Sequence, residues 1–458
     1  MSTMRSRASR SSSILAWAGV LLWCCCAHGK PAPTGNGPRS LSQIAESHQP
    51  AEAQQASVLL EATWWGGGSR LLMPVSPAAS TGGYLPMQKL VVDTGSSTLA
   101  FCKKAFIQKA AYNSTEFISC NQYNPGGGRT GYWGPYVMGE VLAGTVAGNI
   151  SFPRAVYSIM DEEENMPCKH GMHGIFGIAF RQLELAYSSA NKPDWGQGAT
   201  DACPQAEGVL APTLMSKLRS EGGVEKIGIY WSGRHGENQG KMYLDDDAVL
   251  NEEYDSSSLI GPAALGEVGW YDITVKKIAV GEREFADFGC SLSAGKQCIM
   301  DTGTPSLVLP EEVFDHVVSL AESGERAELF FWLSAASGQD VPVKFDLAQL
   351  FERRAISKAG EGTSVILGLP VWAFYYVVFD ITDKSVSFVP HKTPVWPSES
   401  PEGLMPGPWG PFFSGLEPWE PIPRHSADSV PAGLTSADFA AGKSGAGRRM
   451  KDSAAMHV

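Results

Sequence analysis

The sequence contains KLVVDTGSSTLAF at residues 89–101 and QCIMDTGTPSLVLP at residues 297–310, two segments that share the triplet Asp-Thr-Gly. In each segment apolar residues lead into the acid, and an apolar run resumes soon after the glycine. This pattern predicts a buried strand that ends in a tight turn, carrying Asp93 in one case and Asp301 in the other. Two acids in matching frames predict one shared site.

Each residue type in the two triplets has a physical task. A glycine lets two backbones approach closely, so that two such turns can meet. A threonine hydroxyl can hydrogen-bond across the meeting point, and the hydroxyl after each glycine can hydrogen-bond a carboxylate oxygen and fix its rotamer. The residues predicted to support the two acids are Thr94, Gly95, Ser96, Thr302, Gly303 and Thr304.

Paired acids of this kind have a defined chemistry. Two carboxylates close together in a half-buried cleft cannot both ionise cheaply, so the pair retains one proton over an acidic range. The charged member can take a proton from water while the protonated member donates to a substrate carbonyl oxygen. We therefore predict peptide-bond hydrolysis at acidic pH, with Asp93 and Asp301 as the catalytic groups and no cofactor.

Composition and repetition favour a mostly β protein built from two similar lobes. The 458 residues include 50 glycines and 30 prolines, and only 18% are charged, which favours short strands and many turns. The first triplet is followed by Gly-Ile-Phe-Gly at residues 174–177, and the second by Val-Ile-Leu-Gly at residues 365–368. Helical patterns are few; one lies in PEEVFDHVVSLAESG, which begins at Pro310 and ends at Gly324. The net charge of −12 argues against nucleic acid or anionic lipid as partners.

The first residues have the layout of a secretory signal peptide. Arginines precede an apolar run from Ile14 to Cys26, and small residues follow it. This run is shorter than the roughly 20 residues that span a bilayer, so a retained signal anchor is the weaker alternative. The predicted divisions are a signal peptide at 1–29, a leader or propeptide at 30–65, an N-terminal β lobe at 66–240, a C-terminal β lobe at 241–392 and a Pro-rich, disordered tail at 393–458.

Cysteines and glycosylation sequons support passage through the secretory pathway. Three of the nine cysteines fall in the signal peptide, and the remaining six form an even set. Pairing of neighbours along the chain predicts Cys102 with Cys120, Cys168 with Cys203, and Cys290 with Cys298, although the sequence leaves other pairings open. Sequons begin at Asn113 and Asn149. A secreted or vacuolar (lysosomal) protein is the expected outcome.

One cluster of residues raises the alternative of a metal site. Cys168 is followed by His170 and His173, but a fourth ligand is not evident, and a disulfide is the simpler use of this cysteine in a secreted chain. We therefore predict no bound metal.

The triplets, their apolar frames and the two later glycine motifs resemble the pepsin-like aspartic proteases over residues 66–392. This resemblance implies a monomer with two β-barrel-like lobes, a cleft between them, and an extended peptide bound beneath a hairpin flap. Tyr132, seven residues before Gly139, corresponds to the tyrosine of that flap.

The chain also departs from the family pattern around the flap. Trp133, Pro135 and Tyr136 stand where a glycine-rich tip is expected, and Ala100 stands where many relatives have a tryptophan that holds the flap tyrosine. The leader is also weakly basic. These departures motivate an alternative function, a catalytically inactive pepsin-fold binding or inhibitor protein.

Overall fold

The computed structural model describes residues 57–392, with gaps inside that range at 66–67, 104–108, 124–129, 146–147, 165, 169–170, 189–202, 204–207, 212, 217, 219–223, 267–268, 291–296 and 361–362. The predicted signal peptide, the leader up to residue 56 and the predicted tail at 393–458 therefore lie outside the described residues. The described part is built mainly from strands, as the glycine and proline content predicts.

The strands of the first half are β1 (Ser57–Trp65), β2 (Gly68–Pro77), β3 (Gln88–Asp93), β4 (Leu99–Cys102), β5 (Tyr112–Tyr123), β6 (Thr130–Thr145), β7 (Gly148–Met160), β8 (Glu162–Glu164), β9 (Gly174–Gly177), β10 (Leu185–Tyr187), β11 (Val209–Leu210), β12 (Lys226–Trp231) and β13 (Gly236–Leu244).

The strands of the second half are β14 (Ile260–Ala264), β15 (Val275–Val280), β16 (Arg283–Ala286), β17 (Gln297–Asp301), β18 (Leu307–Leu309), β19 (Glu328–Ser334), β20 (Asp340–Asp346), β21 (Ile356–Lys358), β22 (Thr363–Gly368), β23 (Tyr375–Asp380) and β24 (Ser385–Pro390). The α-helices with defined bounds are α1 (Asp247–Leu250), α2 (Glu311–Ser323), α3 (Leu347–Glu352) and α4 (Pro370–Phe374), and short 3₁₀ turns occupy Arg181–Leu183 and Ser256–Ser258.

The two halves repeat one arrangement of three strands around each triplet. In the first half β9 runs parallel to β3 and antiparallel to β4, and in the second half β22 runs parallel to β17 and antiparallel to β18. The register is also repeated, because Asp93 pairs with Gly177 and Asp301 pairs with Gly368. Each acid therefore ends a buried strand beside the glycine of the later motif, as the internal repeat predicts.

Both of these later glycines lie where a side chain cannot fit. A Cβ on Gly177 would lie 2.6 Å from the backbone nitrogen of Thr98, and a Cβ on Gly368 would lie 2.0 Å from the carbonyl oxygen of Ser306. The loop after each triplet therefore packs directly onto the neighbouring strand. This close packing fixes the position of each acid relative to its own lobe.

A continuous sheet connects the two halves of the chain. Its strand order includes β3, β2, β1, β13, β12, β23 and β24 as successive hydrogen-bonded neighbours. Backbone pairing therefore runs from the strand of the first acid to strands near the end of the second half. Two four-stranded sheets, ordered β16-β15-β19-β20 and β17-β22-β18-β21, complete the described strands.

The last part of the predicted leader forms a strand of the described fold. Residues 57–65, which the sequence analysis assigns to the leader, form β1, which pairs with both β13 and β2. Val58 and Leu60 are fully buried in the main core. Ala62 on the same strand also belongs to this core. The strands of the described part therefore begin before residue 66, and the point at which a leader would be removed stays a prediction.

The second-half helix predicted from PEEVFDHVVSLAESG is present as α2. It begins directly after Pro310, and its first turn carries two glutamates that interact favourably with the helix dipole. It ends at Gly324, which takes the left-handed conformation with φ of 74° and caps the last carbonyls. Among the described residues, no helix combines the length and apolar character needed to cross a bilayer.

Two of the three predicted disulfide pairings are wrong, and one is confirmed. Cys102 bonds Cys168 and Cys120 bonds Cys203, whereas Cys290 bonds Cys298 as predicted. Neighbour pairing fails because β4 runs parallel to β7. This places Cys102 beside Met160 at the end of β7, and the segment that follows β7 carries Cys168. Nearness along the chain does not indicate nearness in this sheet.

We expect Gly368→Ala to destabilise the protein strongly, because the new Cβ would overlap the backbone of residues 304–306, which cannot rotate away as a side chain can. Overpacking of this kind costs about 1–3 kcal/mol or more of the free energy of unfolding, measurable by urea denaturation. Gly360→Ala is the matched control, since no atom lies within 4 Å of a Cβ built there. Equal stability of the two variants would contradict the packing described.

Candidate active site

The structure brings the two predicted acids together at the seam between the repeated halves. A Cβ built on Gly95 would lie 2.6 Å from Oδ1 of Asp301, and a Cβ built on Gly303 would lie 2.5 Å from Oδ1 of Asp93. Each carboxyl group therefore rests against the glycine of the opposite triplet. Only a residue without a side chain permits this approach, which explains the glycine in both triplets.

Each carboxyl group is held in the same way by its own loop. The backbone N–H of Gly95 donates to Oδ1 of Asp93 at 2.8 Å, and Oγ of Ser96 donates to Oδ2 at 2.6 Å. In the second loop, the N–H of Gly303 donates to Oδ1 of Asp301 at 2.8 Å, and the hydroxyl of Thr304 donates to Oδ2. The predicted supporting hydroxyls and glycines therefore occupy the positions that the sequence analysis gave them.

The two threonines of the triplets join the loops through four reciprocal hydrogen bonds. The N–H of Thr94 donates to Oγ1 of Thr302 at 3.0 Å, and the N–H of Thr302 donates to Oγ1 of Thr94 at 2.8 Å. Each hydroxyl then donates across the seam, from Thr94 to the carbonyl of Met300 at 3.0 Å and from Thr302 to the carbonyl of Val92 at 2.8 Å. Both threonine side chains are fully buried, so these bonds are shielded from water.

A tryptophan from the second half also fixes the first triplet. Nε1 of Trp270 donates to the carbonyl of Gly95 at 3.0 Å, and the neighbouring Tyr271 donates its hydroxyl to the carbonyl of Ile178 at 2.8 Å. The sequence analysis did not identify Trp270, because a lone tryptophan gives no signal of the distant loop that it contacts.

The environment of the pair favours retention of a proton. Asp93 is 6% exposed and Asp301 is 8% exposed. Burial, followed by the charge of Asp301, raises the pKa of Asp93, while the hydrogen bonds from Ser96 and Gly95 oppose that rise. A pair in which one carboxyl keeps its proton while the other is ionised has both a general acid and a general base.

The predicted flap corresponds to the hairpin of β5 and β6, whose connecting residues 124–129 lie outside the described part. Tyr132 pairs with Asn121 across this hairpin. Its side chain is fully buried, with an exposure of 0%, in a cluster that includes Ala100 and Met160. Nδ2 of Asn121 donates to the Tyr132 hydroxyl at 2.7 Å. Asn121 therefore holds Tyr132 in a chain that has alanine at position 100.

The hairpin carries a second buried tyrosine hydroxyl, that of Tyr123. The ring of Tyr123 is 6.3 Å from that of Tyr132, and its hydroxyl is buried without a hydrogen-bond partner among the described residues. Burial, followed by the charges of Tyr132 and Asp93, raises the pKa of Tyr123 well above its ordinary range. The sequence offered one signal for this residue, since Tyr123 directly precedes the glycine-rich segment NPGGG.

A buried glutamate connects the flap hairpin to the loop of the first acid. Glu184 is 2% exposed, and its carboxyl group accepts hydrogen bonds from Ser97 at 3.1 Å and from the hydroxyls of Thr98 and Tyr136. Burial raises the pKa of Glu184 to about 7, although the three hydroxyls oppose the rise. Nothing in the local sequence distinguishes this glutamate from a solvated one, so sequence reasoning missed it.

Other predicted residues lie outside this site. Asn113 and Asn149 are exposed, on β5 and β7, and their glycosylation stays a prediction. Cys168 is held in a disulfide, and Nδ1 of His173 accepts a hydrogen bond from the N–H of Lys89 at 3.1 Å. Within the described ranges, no group of three or more His, Cys, Asp or Glu side chains could hold a metal ion.

Comparisons with known proteins agree with this geometry. The chain is 25% identical over 313 residues to rhizopuspepsin-5 of Rhizopus niveus, which covers 64% of this chain and 69% of that protein. It is 24% identical over 346 residues to gastricsin of Mus musculus, which covers 67% of this chain and 78% of that protein. No family model matches the chain.

A solved structure shares the fold. The aspartic proteinase from Irpex lacteus superposes with a TM-score of 0.51 at 15% sequence identity, covering 74% of this chain and 98% of that one. The prediction of a mostly β, two-lobed fold is therefore confirmed.

We expect Thr94→Val to weaken the junction of the two loops, because the N–H of Thr302 and the carbonyl of Met300 would lose their buried partner. Each unsatisfied group costs about 1–3 kcal/mol of the free energy of unfolding. Thr94→Ser keeps the hydroxyl and should retain most of that stability. Urea denaturation of the two variants measures the difference, and equal midpoints would show that the hydroxyl does not join the loops.

We expect Glu184→Gln to reduce the pH dependence of stability. Between its ordinary pKa of 4.5 and the folded value of about 7, Glu184 keeps a proton that the unfolded chain has lost. Raising the pH through that range therefore destabilises the folded protein, by at most about 3 kcal/mol. The fall in melting temperature from about pH 5 to about pH 8 should be smaller in Glu184→Gln than in the exposed control Glu322→Gln. A fall of the same size in both would contradict the raised pKa.

Proposed function

We propose that this chain, a pepsin-like protein by sequence similarity and by fold, is an aspartic endopeptidase that hydrolyses peptide bonds at acidic pH. The single observation that carries the proposal is the reciprocal placement of Asp93 and Asp301, each against the glycine of the other triplet. The similarity to gastricsin and the rhizopuspepsins supports the same reaction class.

The proposed reaction begins with a water molecule held between the two acids. The ionised carboxylate takes a proton from this water, whose oxygen attacks the carbonyl carbon of the substrate. The protonated carboxyl donates its proton to the carbonyl oxygen, which gives a neutral diol. When the diol collapses, the carboxylate that gave up its proton takes one from a diol hydroxyl, and the other carboxyl donates its proton to the leaving nitrogen as the C–N bond breaks. The products are a carboxylic acid and an amine, the pair again holds one proton, and no covalent intermediate with the enzyme forms.

The surroundings of the acids suit this sequence of proton transfers. The hydroxyls of Ser96 and Thr304 each bond the outer oxygen of one acid, which leaves the inner oxygens directed at the seam. The threonine junction prevents the two loops from separating. Rotamers fixed in this way keep both carboxyls within reach of one water.

The substrate is an extended peptide or an unfolded protein segment, bound beneath the hairpin of β5 and β6. Tyr132 stays the proposed flap tyrosine, although its ring is enclosed and would have to turn towards the cleft to contact a peptide. Tyr123, on the same hairpin, is a second candidate for covering the cleft. The disulfides and the predicted signal peptide favour an enzyme of the secretory pathway, either secreted or retained in a vacuole or lysosome. The resemblance to pepsin-like proteases is the ground for proposing a monomer. A signal-anchored form is the alternative.

A second function has one specific observation in its favour. Tyr132 is enclosed among Ala100, Met160 and neighbouring side chains instead of being exposed towards the cleft. A pepsin-fold protein that binds peptides or inhibits a protease without cleaving them could tolerate such a flap. This function predicts peptide binding without turnover. An assay for cleavage of an unfolded protein therefore separates the two functions.

We expect Asp93→Asn to abolish cleavage and leave the fold intact, because the amide keeps the shape of the carboxyl but cannot accept the proton from water. Removal of one acid-base group should lower the rate by about 100-fold or more. The assay is cleavage of an unfolded protein from about pH 3 to about pH 7, with and without a statine inhibitor. Asp315→Asn, at an exposed position on α2, is the matched control. Inhibitor-sensitive cleavage by Asp93→Asn, or none by the unaltered enzyme, would refute the proposal.

A further inference from the structure

An arginine is buried beside the two acids. Arg70 lies on β2 and is 3% exposed. The pairing of β2 with β3 ends at Leu72 and Val91. Continued by two residues in the same register, it would bring Arg70 opposite Asp93. Directly paired residues on neighbouring antiparallel strands share a face of the sheet. Arg70 therefore lies on the face that carries Asp93.

The guanidinium group also lies close to the loop of the second acid. Nη1 of Arg70 donates to the carbonyl of Ser69 at 2.8 Å, and it lies 3.4 Å from a Cβ built on Gly68. The same Cβ would lie only 2.1 Å from Cβ of Pro305, in the loop that follows Asp301. The cation therefore lies near the point where β2 contacts the loop that follows Asp301.

The charge of this arginine persists over the whole working range of an acid protease. Burial lowers the pKa of Arg70 to about 10, while the charges of Asp301 and then Asp93 act in the opposite direction. A guanidinium with this pKa remains protonated at neutral and acidic pH. The acids therefore face a fixed positive charge that water screens poorly.

Other charged or titratable groups surround this position, and each has a different setting. Glu61 on β1 and Lys89 on β3 form a salt bridge with each other. Arg353 and Arg354 line a small cleft beside Gly68 and Pro305 and are partly exposed, so water screens them. Two histidines lie nearby: His173 contacts Lys89, and His235 contacts Ser69. Tyr123 and Glu184 lie near the loop that carries Asp93. The carboxyl groups that act on Arg70 are those of Asp301 and Asp93.

The proton count of the buried site follows from this charge. With one proton on the two acids, Arg70 and the acids together carry no net charge. With two protons the group of three is a cation, and with none it is an anion. Because burial disfavours net charge, the buried arginine makes the singly protonated pair the neutral state. Without the arginine, the neutral state would be the doubly protonated pair, which lacks a general base.

We propose that Arg70 is a positioning residue that acts through the catalytic pair. Its positive charge stabilises one negative charge on Asp93 and Asp301, and so moves the pH range of hydrolysis towards acid. This inference rests on the proposed function. It concerns a residue outside both triplets, and it predicts a change in pH dependence that a purely structural role for Arg70 would not produce.

The test compares Arg70→Met, which removes the charge at similar length, with Arg70→Lys, which keeps it. The measurement is the pH profile of kcat/KM for cleavage of an unfolded protein. Loss of a fixed cation raises the pH at which each proton leaves the pair. In Arg70→Met, both limbs of the profile, the rise on the acidic side and the fall on the alkaline side, should therefore move to higher pH by about 1 unit. Both limbs should stay in place in Arg70→Lys, even if its maximal rate falls, and in the exposed control Arg326→Met.

A second measurement does not need activity. The melting temperature of each variant is followed from about pH 4 to about pH 8. In Arg70→Met the folded pair keeps its proton to higher pH, so stability should fall more steeply with rising pH. That extra slope should largely disappear when Asp93→Asn is added. If Arg70→Met does not fold, Arg70→Gln removes the same charge with a smaller polar side chain.

The outcomes separate this inference from the proposed function. Cleavage by the unaltered enzyme, with unmoved limbs and an unchanged slope in the charge-removing variants, overturns the role of Arg70 and leaves the proposed function standing. Absence of cleavage by the unaltered enzyme, together with a steeper slope that depends on Asp93, supports the coupling of Arg70 to the pair and refutes the proposed function.

Discussion

The contact of each acid with the glycine of the opposite triplet is the constraint on which the rest of the structure depends. It requires two loops from distant parts of the chain to meet without side chains between them. The buried threonine hydroxyls then satisfy backbone groups that this close meeting would otherwise leave unpaired. The parallel strands β9 and β22 hold the two loops from behind. The twofold repetition of the fold is thus the means of bringing two equivalent acids to one point.

Features that repeat in the chain or lie close together in it could be predicted from the sequence. The acids, their supporting hydroxyls and the glycine motifs occur in matching frames, and α2 has clear signals at both ends. Contacts between distant residues gave no such signal. The partners of Cys102 and Cys120 depend on the order of strands in a sheet, and β1 became recognisable only through its pairing with β13.

The buried ionisable residues were the hardest to predict, because their environment and not their identity makes them unusual. Arg70 and Glu184 look like ordinary surface residues in the sequence, yet both are almost fully enclosed. They lie on different elements around the acids, with Arg70 on β2 and Glu184 bonded to the flap hairpin and the first acid loop. The interior thus contains a fixed cation, a pair of adjacent acids and a carboxyl group whose pKa burial raises to about 7. The pair and Glu184 both contribute to the dependence of stability on pH.

The disulfide between Cys120 and Cys203 limits how the hairpin can open. Cys120 lies on β5, opposite Trp133 on β6, so the covalent bond anchors the hairpin at that level. Movement of β5 at this level would have to carry Cys203 with it, because the S–S bond joins two positions that are 83 residues apart in the chain. The bond thus ties the described end of the hairpin to a distant part of the first half, which backbone pairing between β5 and β6 alone would not do.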